Sequence, residues 1–246
     1  MLSSSLVLAA AAVLGAQQPA FLHTITPGGA RTFVNADLGY GERLFAGLGP
    51  ERWEQRLGAQ LALGSRFTLL ASGGLRTSTG VELLANLLPT RSSGFAAVGV
   101  GGMLDYTGSA VALGRVAAGF RGPQWEVAGN LRLERSLART GARRDALDVI
   151  TSVGVSRRFA RPLRVGLEGV GEDLEGIFDP NEAEGGAKLM LGPTLAVAPN
   201  AHWQLVVGGG PVLRLSHSMV TGGSSVPRDL ITRSGYVIRS SVGYTW

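Results

Sequence analysis

The stretch that decides the fold is the last eleven residues, Tyr236-Val237-Ile238-Arg239-Ser240-Ser241-Val242-Gly243-Tyr244-Thr245-Trp246. In an extended strand the side chains alternate between two faces. Tyr236, Ile238, Ser240, Val242, Tyr244 and Trp246 therefore share one face, and Val237, Arg239, Ser241, Gly243 and Thr245 share the other. The first face is mostly apolar and ends in aromatics, whereas the second is small or charged. A soluble sheet would bury the oily face under further chain, and none follows Trp246. Hydrocarbon is the expected cover.

Upstream, the same period of two recurs in segments of about ten residues separated by Gly, Pro, Ser and Asn. Twelve strands are expected: 32–40, 52–63, 66–75, 81–88, 95–106, 110–120, 125–134, 147–158, 163–172, 187–197, 203–215 and 236–246. The seventh is the clearest, with Trp125, Val127, Leu131 and Leu133 set against Glu126, Asn130, Arg132 and Glu134. The fourth is ambiguous, because Leu83, Leu84, Leu87 and Leu88 also fit a short helix.

Composition narrows the class. Hydrophobic residues make up 45% of the 246, yet no run approaches the roughly 20 apolar residues of a membrane helix. Only helices and closed barrels satisfy their backbone polar groups in lipid, so a membrane protein of this composition is a barrel. The expected fold is an all-β, antiparallel up-and-down barrel. The 37 glycines suit tight turns and strand bends, and the absence of cysteine excludes disulfides, thiolate nucleophiles and thiolate metal sites. A net charge of +5 raises nucleic acid as a partner, but 22 of the 23 basic residues are arginines scattered singly, with Lys188 the one lysine. No nucleic-acid partner is expected.

Three regions follow. Residues 1–16 read as a secretory signal, with the apolar run Leu6 to Ala16 and small residues at its end, although its start carries no Lys or Arg. Residues 17–30 lack periodicity and are expected to form a short periplasmic tail, and residues 31–246 form the barrel. With that orientation the connections after even-numbered strands are short and several after odd-numbered strands are long, as in outer-membrane barrels.

The terminal strand, with Tyr244 and Trp246 at its end, resembles the C-terminal assembly strand of Gram-negative outer-membrane β-barrels. That resemblance implies integral residence in the outer membrane, recognition by the barrel assembly machinery, and outer-membrane lipid and lipopolysaccharide as surroundings. Gly192-Pro193, Trp203 and Gly208-Gly209-Gly210-Pro211 loosely resemble solute-transporter-like outer-membrane families, such as those near phenol-degradation operons, and assign no substrate.

One register places aromatics at two levels, as barrel girdles require. Trp125, Trp203 and Trp246, with Phe67 and Phe120, lie at the periplasmic ends, and Tyr40, Trp53, Tyr106 and Tyr236 at the outer ends. The same register turns Asp37, Glu54, Glu82, Asp105, Glu126, Glu134, Asp148, Glu168 and Glu172 inward to meet Arg56, Arg66, Arg76, Arg115, Arg132, Arg158, Arg164, Lys188, Arg214 and Arg239. Twelve strands lie between a filled small barrel and an open porin. The lining is expected either to brace the wall through ion pairs or to set a narrow channel for small polar solutes, with Arg56, Arg115, Glu126, Arg132, Glu168, Arg164 and Arg239 at its constriction.

Other chemistries are weaker. Arg135, Arg139, Arg143 and Arg144 make one outer loop basic, and Glu172, Asp173, Glu175, Asp179, Glu182 and Glu184 make the next acidic, without the spacing of a calcium loop. Gly99, Gly101 and Gly102 lack the surroundings of a phosphate-binding loop. Outer-membrane lipid hydrolases need a serine and a histidine placed together. His217, between Ser216 and Ser218, does not reproduce their pattern, and His23 and His202 lie elsewhere. No enzyme, cofactor or metal is expected. The main alternative to a channel is a closed barrel that acts through its outer loops.

Overall fold

The computed structural model describes residues 20–27, 32–41, 53–75, 78–88, 93–104, 108, 110–137, 147–172, 174, 187–215 and 235–246. Twelve antiparallel strands form one closed barrel in which each pairs with its sequence neighbours and β1 closes on β12. They are β1 Phe33–Gly41, β2 Trp53–Leu63, β3 Phe67–Leu75, β4 Thr79–Asn86, β5 Gly94–Leu104, β6 Ala110–Arg121, β7 Trp125–Ser136, β8 Asp148–Arg158, β9 Leu163–Glu172, β10 Lys188–Val197, β11 Trp203–Arg214 and β12 Gly235–Thr245. The ambiguous fourth segment is a strand. Glu82 and the fully buried Leu84 face inward, while Val81 and Leu83 face outward. Pairing to β3 and β5 satisfies its backbone, which outweighs its helical leucine spacing.

The terminal strand behaves as its alternation demands. Val237, Arg239, Ser241 and Thr245 are buried, and Tyr236, Ile238, Val242 and Trp246 are exposed. Strand β1 seals the seam, pairing from Phe33 opposite Thr245 to Gly41 opposite Val237. The outer wall carries Leu57 at 67%, Leu75 at 70% and Val100 at 71% exposure, among many other apolar side chains. A continuous apolar exterior of this kind is stable in hydrocarbon and not in water. The barrel spans a membrane.

The girdles form at both ends. At one, Tyr40 packs with Trp53 at 4.7 Å and with Tyr236 at 6.3 Å between ring centroids. At the other, Tyr244 packs with Trp203 at 5.0 Å and with Trp246 at 5.9 Å. Trp125 shares that end with the Arg157 guanidinium, 5.5 Å from its ring centroid. Tyr106 lies outside the described residues.

The interior holds a segment that was not expected there. Residues 20–27, expected in a tail outside the barrel, run inside it, with Ala20, Phe21, Thr24 and Thr26 buried. The reason is packing: Phe21 joins a cluster with Ala128 of β7, Ala196 of β10 and Val206 of β11, against which Leu22 and Phe95 also pack. Small inward side chains on these strands leave room for a segment that the wall alone would not fill.

Candidate functional site: the charged lumen

Charged side chains inside the barrel are gathered into ion-paired groups. In the middle, Glu82 of β4 takes two hydrogen bonds from Arg115 of β6, at 2.7 Å from Nε and 2.8 Å from Nη2. The planar guanidinium fork meets the carboxylate edge on, a geometry that lysine cannot provide. Arg132 of β7 completes the group, 3.8 Å from Glu82 and 3.4 Å from Glu134, and its Nη2 lies 3.2 Å from the Met103 sulfur.

Nearer the Tyr40 end, Arg239 of β12 donates a short hydrogen bond to Glu54 of β2, reaching across β1. Gly39 stands between them, opposite Glu54 on one side and Arg239 on the other. A β-carbon there would lie 3.2 Å from Arg239 Nε, so glycine clears the path. Arg56 also pairs with Glu54, at 3.3 Å. Near the Trp125 end, buried Glu126 pairs with Arg121 at 3.1 Å and Arg164 at 3.6 Å, and Arg164 also donates to Ser156. Lys188 and Glu172 form a buried pair at 3.2 Å where β9 and β10 leave the barrel.

Glu168 is held differently. Its cross-strand neighbours are Gly154 on β8 and Gly192 on β10, neither of which offers a charge. Among the described residues it pairs with no cation. The backbone N–H groups of Leu22, His23 and Thr24 donate to its carboxylate instead, at 3.2, 2.8 and 2.7 Å. Hydrogen bonds to a charged group each contribute about 1.5–3 kcal/mol net, enough to fix an otherwise irregular segment. Asn130 of β7 adds a bond from Nδ2 to the Ile25 carbonyl at 3.0 Å. His23 Nδ1 lies 3.4 Å from Arg239 Nη1. Burial first, and then the Arg239 and Arg56 charges, hold the His23 pKa well below 6.5.

Beside this segment remains a cavity of about 200 Å3. Arg56, Arg115, Arg132 and Arg239 line it together with Asp37 and Glu82. Behind the lining, Glu54 pairs with Arg56 and Arg239, and Glu134 pairs with Arg132, so the arginines do not stand uncompensated.

Of the seven residues expected at one constriction, Arg56, Arg115, Arg132 and Arg239 line one cavity, whereas Glu126, Arg164 and Glu168 do not. Arg115 and Arg132 come together, Arg56 and Arg239 form a second group, Glu126 and Arg164 a third, and Glu168 seats the N-terminal segment. Glu82, the centre of the middle group, was not among them, although it is the one inward carboxylate of β4. Residues 20–27 were missed as well. The signal for them is an inward row of small residues, Ala128 opposite Gly154, that leads to a glutamate flanked by glycines. His202 makes a 2.9 Å hydrogen-bonding contact to the Thr245 carbonyl and stacks on Tyr244. Asp105, Arg76, the serines and histidine of 216–218, the arginines 139–144 and the acidic loop from Asp173 onward, apart from Leu174, lie outside the described residues.

No family model matches the chain, and no curated protein matches it. Solved barrels do. The structure described as the NanC porin superposes with a TM-score of 0.60 at 9% sequence identity, over 86% of this chain and 98% of that one. The KdgM porin in complex with disordered oligogalacturonate superposes with a TM-score of 0.57 at 12% identity, over 87% and 99%. At these identities the likeness is one of fold.

Proposed function

We propose that a membrane barrel with this interior is an outer-membrane channel that passes small polar solutes through a narrow lumen lined by arginines and carboxylates. Residues 1–16 direct export and are removed, and the barrel assembly machinery inserts the remainder through the strand ending at Tyr244 and Trp246. The observation that carries the reading is the middle of the lumen. There Glu82, Arg115 and Arg132 meet beside a cavity of about 200 Å3 whose lining sets charged side chains among apolar ones such as Phe33, Leu70 and Val206. A barrel that served only as a wall would gain more by filling this depth with hydrocarbon, since buried ion pairs contribute little net stability. The Arg56, Arg115, Arg132 and Arg239 charges, together with Asp37 and Glu82, set the selectivity. The resemblance of 192–211 to solute-transporter-like barrels fits the same class and names no solute.

The second reading, a closed barrel that acts at the cell surface through its outer loops, draws on the residues 20–27 inside the lumen. Planar-bilayer recording of the refolded protein separates the two. Discrete current steps from the parent chain or from Glu168→Gln, which weakens the hold on that segment, support the channel. Their absence from both, over a range of salt and voltage, overturns it.

A further inference from the structure

We propose that residues 20–27 are a reversible plug in the passage, seated by Glu168 and released as a unit. The inference rests on the channel reading above and concerns how that channel is controlled.

The segment is placed to obstruct. Phe21, Leu22, His23, Thr24 and Ile25 all border the remaining cavity, across from Arg115 and Arg132. Removing them joins that cavity to the space they fill against β7 to β11.

The wall is shaped to receive it. A β-carbon at Gly154 would stand 2.5 Å from the Phe21 ring, and one at Gly208 would stand 3.0 Å from the Leu22 side chain. Both glycines face inward, where any larger residue would take the place of the segment. Glu168 lies between Gly154 and Gly192 with no cation opposite, and three consecutive backbone N–H groups supply its partners. Glu168 thus has its charge met by three backbone N–H groups instead of a cation, and the segment that supplies them explains the arrangement.

The attachment is also concentrated on a few side chains, Glu168 above all. The segment pairs with no described strand; three of its backbone N–H groups donate to Glu168, Asn130 holds the Ile25 carbonyl, and His23 meets Arg239. The barrel is closed without it, since every strand has two ladder partners. Release breaks no ladder bond, and water can hydrate the carboxylate and amide left behind. An element with few fixed bonds on a complete scaffold opens locally at a small fraction of the global cost. A permanent filler would be tied in at many points.

The test uses the full mature chain, whose lack of cysteine makes introduced thiols unique. Leu22→Cys combined with Gly208→Cys places two thiols where the side chain of residue 22 already meets residue 208. Bridging them with a short bis-thiosulfonate should abolish current steps in planar bilayers, and reductant should restore them. Independently, Glu168→Gln puts an amide donor against three N–H donors, and it should raise the open fraction at least tenfold. Phe21→Ser, which leaves the wall intact, should act in the same direction. Heat-modifiable migration on gels establishes that each variant is folded. If bridged, reduced and Glu168→Gln proteins all conduct as the parent does, the plug is overturned and the channel stands. If no form conducts, the channel reading fails and the plug fails with it.

Discussion

The inward face of Gly154 and the ring of Phe21 fit so closely that a β-carbon on residue 154 would stand 2.5 Å from the ring. These residues are 133 positions apart in sequence, and their fit seats the N-terminal segment in the barrel. Gly154→Leu should expel the segment without unfolding the wall, because the β8 ladder to β7 and β9 is untouched. A polar maleimide should label Leu22→Cys at least tenfold faster in this background, while heat-modifiable migration is unchanged. Equal labelling rates would refute the fit.

His23 makes seating of the segment pH-dependent. Inside the lumen, burial and the charges of Arg239 from β12 and Arg56 from β2 push its pKa well below 6.5. Glu54 balances those arginines, and Asp37 of β1 and Arg132 of β7 line the same cavity. Released into water, the imidazole returns to about 6.5, so release takes up a proton once the pH is lower than that. Seating is complete above about pH 6.5 and weakens as the pH falls toward the depressed value, by up to about tenfold per pH unit. The open fraction should rise accordingly in bilayer recordings, and His23→Gln should flatten that component of the pH response.

Arg132 and Arg115 converge on Glu82, and Arg132 also meets Glu134, so each charge in the middle of the lumen is set against an opposite one. Arg132→Ala should move the reversal potential under a salt gradient toward cation preference, and Glu82→Gln should move it toward anions. Glu82→Gln also frees Arg115 from its bidentate partner and should cost about 1–3 kcal/mol of stability, in addition to the change in selectivity. Unchanged reversal potentials in both variants would remove this group from the conduction path.

Val100 is 71% exposed on the outer face of β5 and lies mid-strand. Val100→Arg should destabilise the barrel in lipid by about 2–4 kcal/mol, the cost of a cation at the bilayer midplane. Urea unfolding in lipid vesicles measures the loss. A change within about 0.5 kcal/mol would mean that the face is wet.

Tyr244 stacks with His202 at 5.7 Å and makes two aromatic pairs, to Trp203 at 5.0 Å and to Trp246 at 5.9 Å. Each such pair contributes about 0.5–1.5 kcal/mol beyond burial. Tyr244→Ala should therefore lower stability by about 1–3 kcal/mol and reduce the folded yield on insertion into vesicles, whereas Tyr236→Ala at the opposite end loses a ring contact to Tyr40 and less stability. Equal losses would undo the distinction between the two ends.

The strands, their number and their faces were readable from residue order, because a strand turns alternate side chains to opposite faces whatever the rest of the chain does. Trp125, Val127 and Glu126, Ala128 sort as the alternation requires, as do Ile238 and Arg239. The lumen's arrangement was not readable in this way. Which arginine meets which carboxylate depends on strand stagger and barrel closure, which bring Glu54 to Arg239 across 185 positions and Arg115 to Glu82 across 33. Residues 20–27 carry no alternation, and they enter the barrel because Glu168 and the small residues around Gly154 form a seat only once β7 to β11 stand side by side. Sequence settled the two faces of the wall, since that rule is local; closure settled what occupies the interior, since that depends on residues far apart in the chain.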